Sequence, residues 1–295
     1  MSNPGGDLSD HACLVPALPG WVTGLADEPL ETAAFRSGAA LASLALAAAQ
    51  PAVPQALWRD RLALAAAERC AVLAGRPERM AEMRDALHLT RPGDSPGPGG
   101  TILAQWSRAV ARPISAGHLA GAVAGPGEDR IARCLDAPGT NPVDRAAAAI
   151  EAVLGADVRA EVAALILADA VLSRSLGGAH LRPVLALGLR PRDLRLRADA
   201  LRLACHRAAA AGVGRALPLA AELARAAARL RAVVPRLRAR GAARAAELFL
   251  SRDALAPSAL DFMSDRAARR LCDRLVALGA VRELTGRETF RLYGL

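Results

Sequence analysis

The chain has 295 residues, 53% hydrophobic and 23% charged, a composition that excludes wholesale disorder and suits one large domain or two modest ones. About a quarter of the residues are alanine and only 3% are aromatic, which points to closely packed helices and away from β-sandwiches and the base-stacking RRM and OB folds. All 38 basic residues are arginine, so lysine Schiff-base, P-loop and kinase chemistry is excluded, while the formal charge of +9 points to an acidic partner.

Residues 1–30, rich in proline and glycine, read as an extended leader anchored by Trp21. Met1 to His11 is acidic and polar, the opposite of a secretory signal. A helix over 31–49 is expected to bury Phe35, Leu41 and Leu44, and one over 54–74 to present Leu57, Leu62, Leu64 and Val72. A third, over 77–89, opens with Pro77 in its first turn. The uncharged stretch from Ser37 to Trp58 is interrupted by Pro51 and Pro54, so its helical part is too short to span a bilayer. Residues 91–100 read as a loop throughout. Further helices are expected over 101–111, 142–154, 157–176, 193–211 and 216–234, the second of these capped by Asn141 with Pro142 at its first position. In 216–234, Leu219, Leu223, Ala226, Leu230, Val233 and Leu237 define an apolar face, and Arg225, Arg229, Arg236 and Arg240 line another. Pro235 should kink or end that helix. No strand is expected before residue 280.

Charge is segregated along the chain. Residues 1–173 hold 14 Arg and 19 acids, residues 174–244 hold 16 Arg and 3 acids, and residues 245–295 hold 8 Arg and 7 acids. A uniform base-composition bias toward arginine cannot produce an acidic first half beside a strongly basic third quarter. The block is therefore an electrostatic feature, and Arg225, Arg229, Arg236 and Arg240 form its expected phosphate track.

Residues 241–295 form a distinct module after a helical domain over 31–240. A helix at about 242–251 is followed by a proline-broken element over 254–260. Ser264 then caps a helix that runs to Leu278 and stops at Gly279, with Ala267, Leu271, Leu275 and Leu278 as its buried stripe. Arg266, Arg269, Arg270 and Arg274 share the opposite face. Val281–Leu284 and Thr289–Leu292 read as a hairpin about a type II′ turn at Gly286, with Val281 opposite Leu292, Glu283 opposite Phe290 and Arg282 opposite Arg291. That order is the order of a winged helix-turn-helix, whose third helix would enter the major groove while Arg282, Arg287 and Arg291 on the wing touch phosphates.

Arg84-Asp-Ala-Leu-His-Leu-Thr-Arg-Pro-Gly-Asp94 with its Pro/Gly loop, together with residues 264–295, resembles an uncharacterised bacterial family, the domain-of-unknown-function family numbered 1403. The resemblance runs from about Phe35 to Leu295 and implies no activity. Leu275 to Arg287 is also similar to the C-terminal winged helix of Fic-type proteins, whose catalytic His-Pro-Phe motif is absent here.

Other groupings resemble chemistry only superficially. Asp85, His88, Arg91 and Asp94 read as a helix end pinning a loop rather than a metal or acid/base site. Gly97-Pro98-Gly99-Gly100 follows no strand and lacks the Gly-Lys-Ser/Thr of a phosphate loop. Cys13, Cys70, Cys134, Cys205 and Cys272 are scattered and read as buried thiols in a reducing cytoplasm. His11, His118, His180 and His206 read as isolated, and Cys205 and His206 point about 100° apart on a helix, too far for a dyad. The expectation is an all-α protein with a C-terminal winged helix, cytoplasmic and outside any membrane. It has no catalytic residues, cofactor or metal, and binds double-stranded DNA in a regulatory or accessory-replicon role. The alternative is a helical adaptor whose basic block docks an acidic partner or, in a head-to-tail oligomer, its own acidic half.

Overall fold

The computed structural model describes residues 15–24, 28–76, 78–91, 93–286 and 290–295. In chain order its helices are α1 (Gly20–Thr23), α2 (Leu30–Ala48), α3 (Gln55–Leu73), α4 (Met80–Leu89), α5 (Gly97–Ala111), α6 (Ala116–Ala122) and α7 (Glu128–Leu135). There follow α8 (Pro142–Ala156), α9 (Glu161–Ser175), α10 (Leu185–Gly188), α11 (Ala198–Val233), α12 (Ala242–Phe249) and α13 (Asp265–Ala277). Two short strands, β1 (Arg282–Glu283) and β2 (Tyr293–Gly294), pair antiparallel. The protein is all-α with a C-terminal hairpin.

Helix α9 sits at the centre because its sequence leaves it no other place. Every residue from Ala163 to Ser173 is buried, so it has no polar face to offer water. Helices α8, α7, α10 and α5 pack around it, and α11 runs past α2, α10 and α8 as the longest element. The small side chains of the alanine-rich helices allow close approach. Where α10 meets α11, even alanine is too large: a Cβ on Gly188 would lie 2.1 Å from the Ala208 carbonyl oxygen, and one on Gly212 would lie 2.1 Å from that of Val184.

Several local expectations hold. Asn141 Oδ1 accepts the Val143 and Asp144 N–H groups at 3.0 Å, with Pro142 at the first position of α8. Helix α11 ends at Val233, in front of a 3-10 turn containing Pro235. Of its expected apolar face, Leu223, Ala226 and Leu230 are buried, Leu219 and Val233 are partly covered, and Leu237, also partly covered, lies beyond the helix end. Cys70, Cys134, Cys205 and Cys272 are free and buried, and burial pushes the thiols of Cys70 and Cys272 up to about 12.

Other expectations are corrected by packing. The segments 193–211 and 216–234 are not separate helices: α11 continues through Pro218, held beside it by the Trp58 indole N–H, which donates to Ala216 O at 3.1 Å. The loop over 91–100 ends early, because Gly97-Pro98-Gly99-Gly100 forms the first turn of α5, where a proline forfeits no helical hydrogen bond. Helix α4 starts at Met80; Pro77 lies outside the described residues. Phe35 is 69% exposed and stacks on Trp21, itself half-exposed, while the neighbouring Val22 enters the core instead. Val72 is also exposed. Helices α6, α7 and α10 span only seven, eight and four residues, too short a window for a period to stand out along the sequence. Among the described residues, no helix is long and apolar enough to cross a membrane.

Candidate nucleic-acid interface

Helix α13 is set up by its own ends. The Ser264 hydroxyl accepts the Ala267 N–H at 3.4 Å, and Gly279 takes the left-handed conformation (φ 65°) that closes the last turn. Its buried stripe is Ala268, Leu271, Cys272 and Leu275, one step round from the expected one, so Ala267 is only partly covered and Leu278 is 38% exposed. The opposite face presents Arg266, Arg269, Arg270 and Arg274 to solvent. Arg269 pairs with Asp265 at 2.9 Å, and Arg270 Nε donates to Arg266 O at 3.3 Å.

The hairpin departs from the expected register. Arg282 lies opposite Gly294 and Glu283 opposite Tyr293, so Arg282 and Arg291 do not face each other. The reason is a third partner: Tyr293 exchanges two backbone hydrogen bonds of 2.9 Å with Leu255, before α13, which fixes β2 three residues later than the local pattern does. Arg282 is engaged with Leu295 O at 3.2 Å and Glu222 at 3.6 Å, and Arg291 approaches Glu283 at 3.8 Å. Arg287, the expected wing tip, lies outside the described residues.

Beyond this module, the sequence from Arg225 to Arg244 holds seven arginines and no carboxylate. Arg225, Arg229, Arg231, Arg236, Arg238, Arg240 and Arg244 are all exposed, and among the described residues none has a carboxylate within 4 Å. Two contacts tie this stretch to α13 and the strands. Glu222, two turns before Arg229 on the same face of α11, reaches Arg282 of β1. Arg244 lies over the Phe262 ring at 4.4 Å, just ahead of the Ser264 cap.

Inside the molecule, three polar groups that no local pattern reveals carry long-range contacts. Asp253 accepts from Arg84 Nε at 2.7 Å and Nη2 at 3.3 Å, and pairs with Arg61, whose Nη2 donates to Leu295 O at 2.8 Å. The motif beginning at Arg84 is therefore an anchor for the C-terminal module. His88 faces the same cluster, its pKa lowered chiefly by burial. Asp60 accepts the Asp253 N–H, and burial lifts its carboxyl to about 6. His206 is not isolated: its Nδ1 is 2.7 Å from Ser37 Oγ and its Nε2 is 3.5 Å from Asp144 Oδ1. Ser37 is 1% exposed, which denies a substrate access to its hydroxyl, so the trio joins α2, α8 and α11 rather than doing chemistry.

Asp169, in the middle of α9, accepts the N–H groups of Val184, Leu185 and Ala186 at 2.7–3.2 Å and so fixes the start of α10. Burial raises its carboxyl to about 7. A carboxyl raised in the folded state is most favourable below its ordinary pKa of 3.8, and that contribution is lost as pH rises through about 7. The stability of the wild type relative to Asp169→Asn should therefore increase as pH falls from 8 toward 4 in urea titrations at fixed salt. A flat difference would show that the three N–H donors hold the charge at no cost.

No curated protein and no solved structure matches the chain. The model of one family, described as protein of unknown function (DUF1403), matches residues 7–295, and the chain belongs to that family.

Proposed function

We propose that the protein binds double-stranded DNA through one basic face made of α13, the hairpin and the end of α11. The observation that carries this reading is the unpaired arginine series from Arg225 to Arg244. Like charges one turn apart destabilise a helix by a few tenths of a kcal/mol, and a fold that needed them only for solubility would intersperse acids. A polyanion repays that repulsion by releasing its counterions. The order α12, the Leu255 strand residue, α13, β1 and β2, with Tyr293 paired on both sides, supports a winged-helix reading in which α13 lies in the major groove. On this reading Arg266, Arg269, Arg270 and Arg274 meet the groove, and Arg225, Arg229, Arg236 and Arg240 follow the backbone. The role is regulatory or in maintaining an accessory replicon, and the compartment is the cytoplasm.

Fluorescence anisotropy with a labelled duplex over a salt series tests this. Binding should fall with a log–log slope of about −0.9 per phosphate neutralised, and Arg229→Gln should reduce the slope by about one. Arg270→Ala should cost about 1–3 kcal/mol on a preferred site and less on random sequence. Absence of duplex binding at low salt, or variants indistinguishable from the wild type, would end the DNA reading. Val276, Leu278 and Phe290, exposed apolar side chains near this face, favour a second reading in its place: an adaptor that docks an acidic protein.

A further inference from the structure

Between the last turn of α2 and the end of α9 lies a cavity of about 340 Å³, within the range of small-molecule sites. It exists because the sequence puts short side chains where two helices end. Leu44, Ala45, Ala48 and Ala49 form its apolar wall, and Leu176 joins them from beyond α9. Gly177 turns the chain out of α9 in the left-handed conformation (φ 77°), and Gly178 lets the segment fold back toward His180 and Arg182, which form the polar wall with Ser173.

The charge on that wall is unbalanced. Among the described residues, Arg182 Nε is buried without a hydrogen-bond partner and Nη2 reaches only Gln55 Oε1, at 3.4 Å. The guanidinium lies 5.8 Å from the Trp58 ring centroid, which holds it in place. Among the described residues, the charged and titratable groups around His180 are Arg59, Arg182 and His118, all cationic or neutral, and His118 Nε2 is buried without a hydrogen-bond partner. The carboxylate nearest Arg59 in this respect is Asp60, its sequence neighbour, which is turned to the Asp253 N–H. The carbonyls at the two helix ends do not use Arg182 either: Gln55 Nε2 serves Ala47 O and Gln50 O, and the Gly178 N–H serves Ser173 O.

Other covered guanidiniums find acceptors inside the protein: Arg59 donates to Val110 O at 3.3 Å and Arg145 to Ala137 O at 2.9 Å. Arg61 and Arg84 share Asp253, and Arg36 meets Glu28 at 2.7 Å. Arg182 differs in lining an open cavity with the Gln55 amide oxygen as its side-chain partner among the described residues, so its charge is available to an external acceptor.

We propose that this cavity binds a small organic anion, an oxyanion head on a short apolar body. The head sits against Arg182 and His180, where a guanidinium edge offers two parallel N–H donors to a carboxylate or phosphate. The body lies on Leu44, Ala45, Ala48, Ala49 and Leu176. The site is separate from the proposed nucleic-acid face and does not depend on it.

Calorimetric titration of the full-length protein with hexanoate, hexyl phosphate, hexanol and inorganic phosphate tests the proposal. Hexanoate or hexyl phosphate should bind at least about tenfold more tightly than hexanol, which lacks the charge, and than inorganic phosphate, which lacks the body. Which of the two anions binds better identifies the head group. Ala45→Leu changes an exposed residue at the cavity wall and should abolish binding while leaving the unfolding temperature unchanged. Arg182→Gln should weaken binding about tenfold or more, with a thermal melt to establish that the variant is folded. The proposal is overturned if no probe binds at about 10 mM, if hexanol matches the anions, or if Ala45→Leu binds like the wild type.

Discussion

Replacing Asp253 by alanine is expected to cost about 3–5 kcal/mol of folding stability, because it strands two guanidiniums that have left water. Arg84 is 9% exposed and binds Asp253 through two nitrogens, while Arg61 meets the same carboxylate from α3. Both then lose the acid with which each is paired among the described residues, and the link from α3 and α4 to the C-terminal module goes with it. Asp60 modulates the loss. Burial, and secondarily the nearby Asp253 charge, raises its carboxyl to about 6, so in the wild type its favourable contribution fades as pH rises through that value. Removing Asp253 takes a like charge away from Asp60, which then ionises more readily. The gap between wild type and variant should therefore narrow as pH rises from about 4 through about 6 in urea titrations. A cost below about 1 kcal/mol would place Asp253 among ordinary surface ion pairs.

Gly212→Ala should destabilise by about 3 kcal/mol, against the gain of up to about 1 kcal/mol that alanine normally brings to a helix interior. The added Cβ would lie 2.1 Å from Val184 O, a backbone atom that cannot turn aside. Nor can α10 retreat, since the Val184, Leu185 and Ala186 N–H groups are fixed by the buried Asp169 carboxylate. Gly214→Ala, two residues along the same helix, is the control. Its Cβ would meet nothing closer than Thr23 Cγ2 at 3.5 Å, so the propensity gain should survive and the variant should be neutral or slightly stabilised. Equal unfolding midpoints for the two variants would show that the crossing of α10 and α11 can open without penalty.

These two sites also mark what a reading along the chain could see. A helix cap is a local device, so Asn141-Pro142 and Ser264 announce α8 and α13 from sequence alone. The arginine faces of α13 and α11 are legible for the same reason, since helical periodicity is counted over a few residues. The gap between the expected helices 193–211 and 216–234, by contrast, is no break, because α11 is held on several sides by helices far away in the chain. Gly97-Pro98-Gly99-Gly100 looks like pure loop, yet it opens α5. The hairpin register came out three residues off because Leu255, not the turn, sets it.

The sequence by itself determined the helical class, the C-terminal order of elements and the segregation of arginine into one exposed stretch, since each follows from propensity, capping or charge within a short window. Only the tertiary structure decided where the buried polar groups lie. Asp253 is 169 residues from Arg84, and His206 is 169 residues from Ser37. No periodicity links such pairs, because what selects them is the cost of leaving a charge or a donor unpaired once the core has closed around it. The same holds for the Arg182 cavity. Its arginine is one of many in a basic stretch of sequence, and only folding places that one at a cavity wall beside Trp58 and Gln55, with no carboxylate paired to it among the described residues.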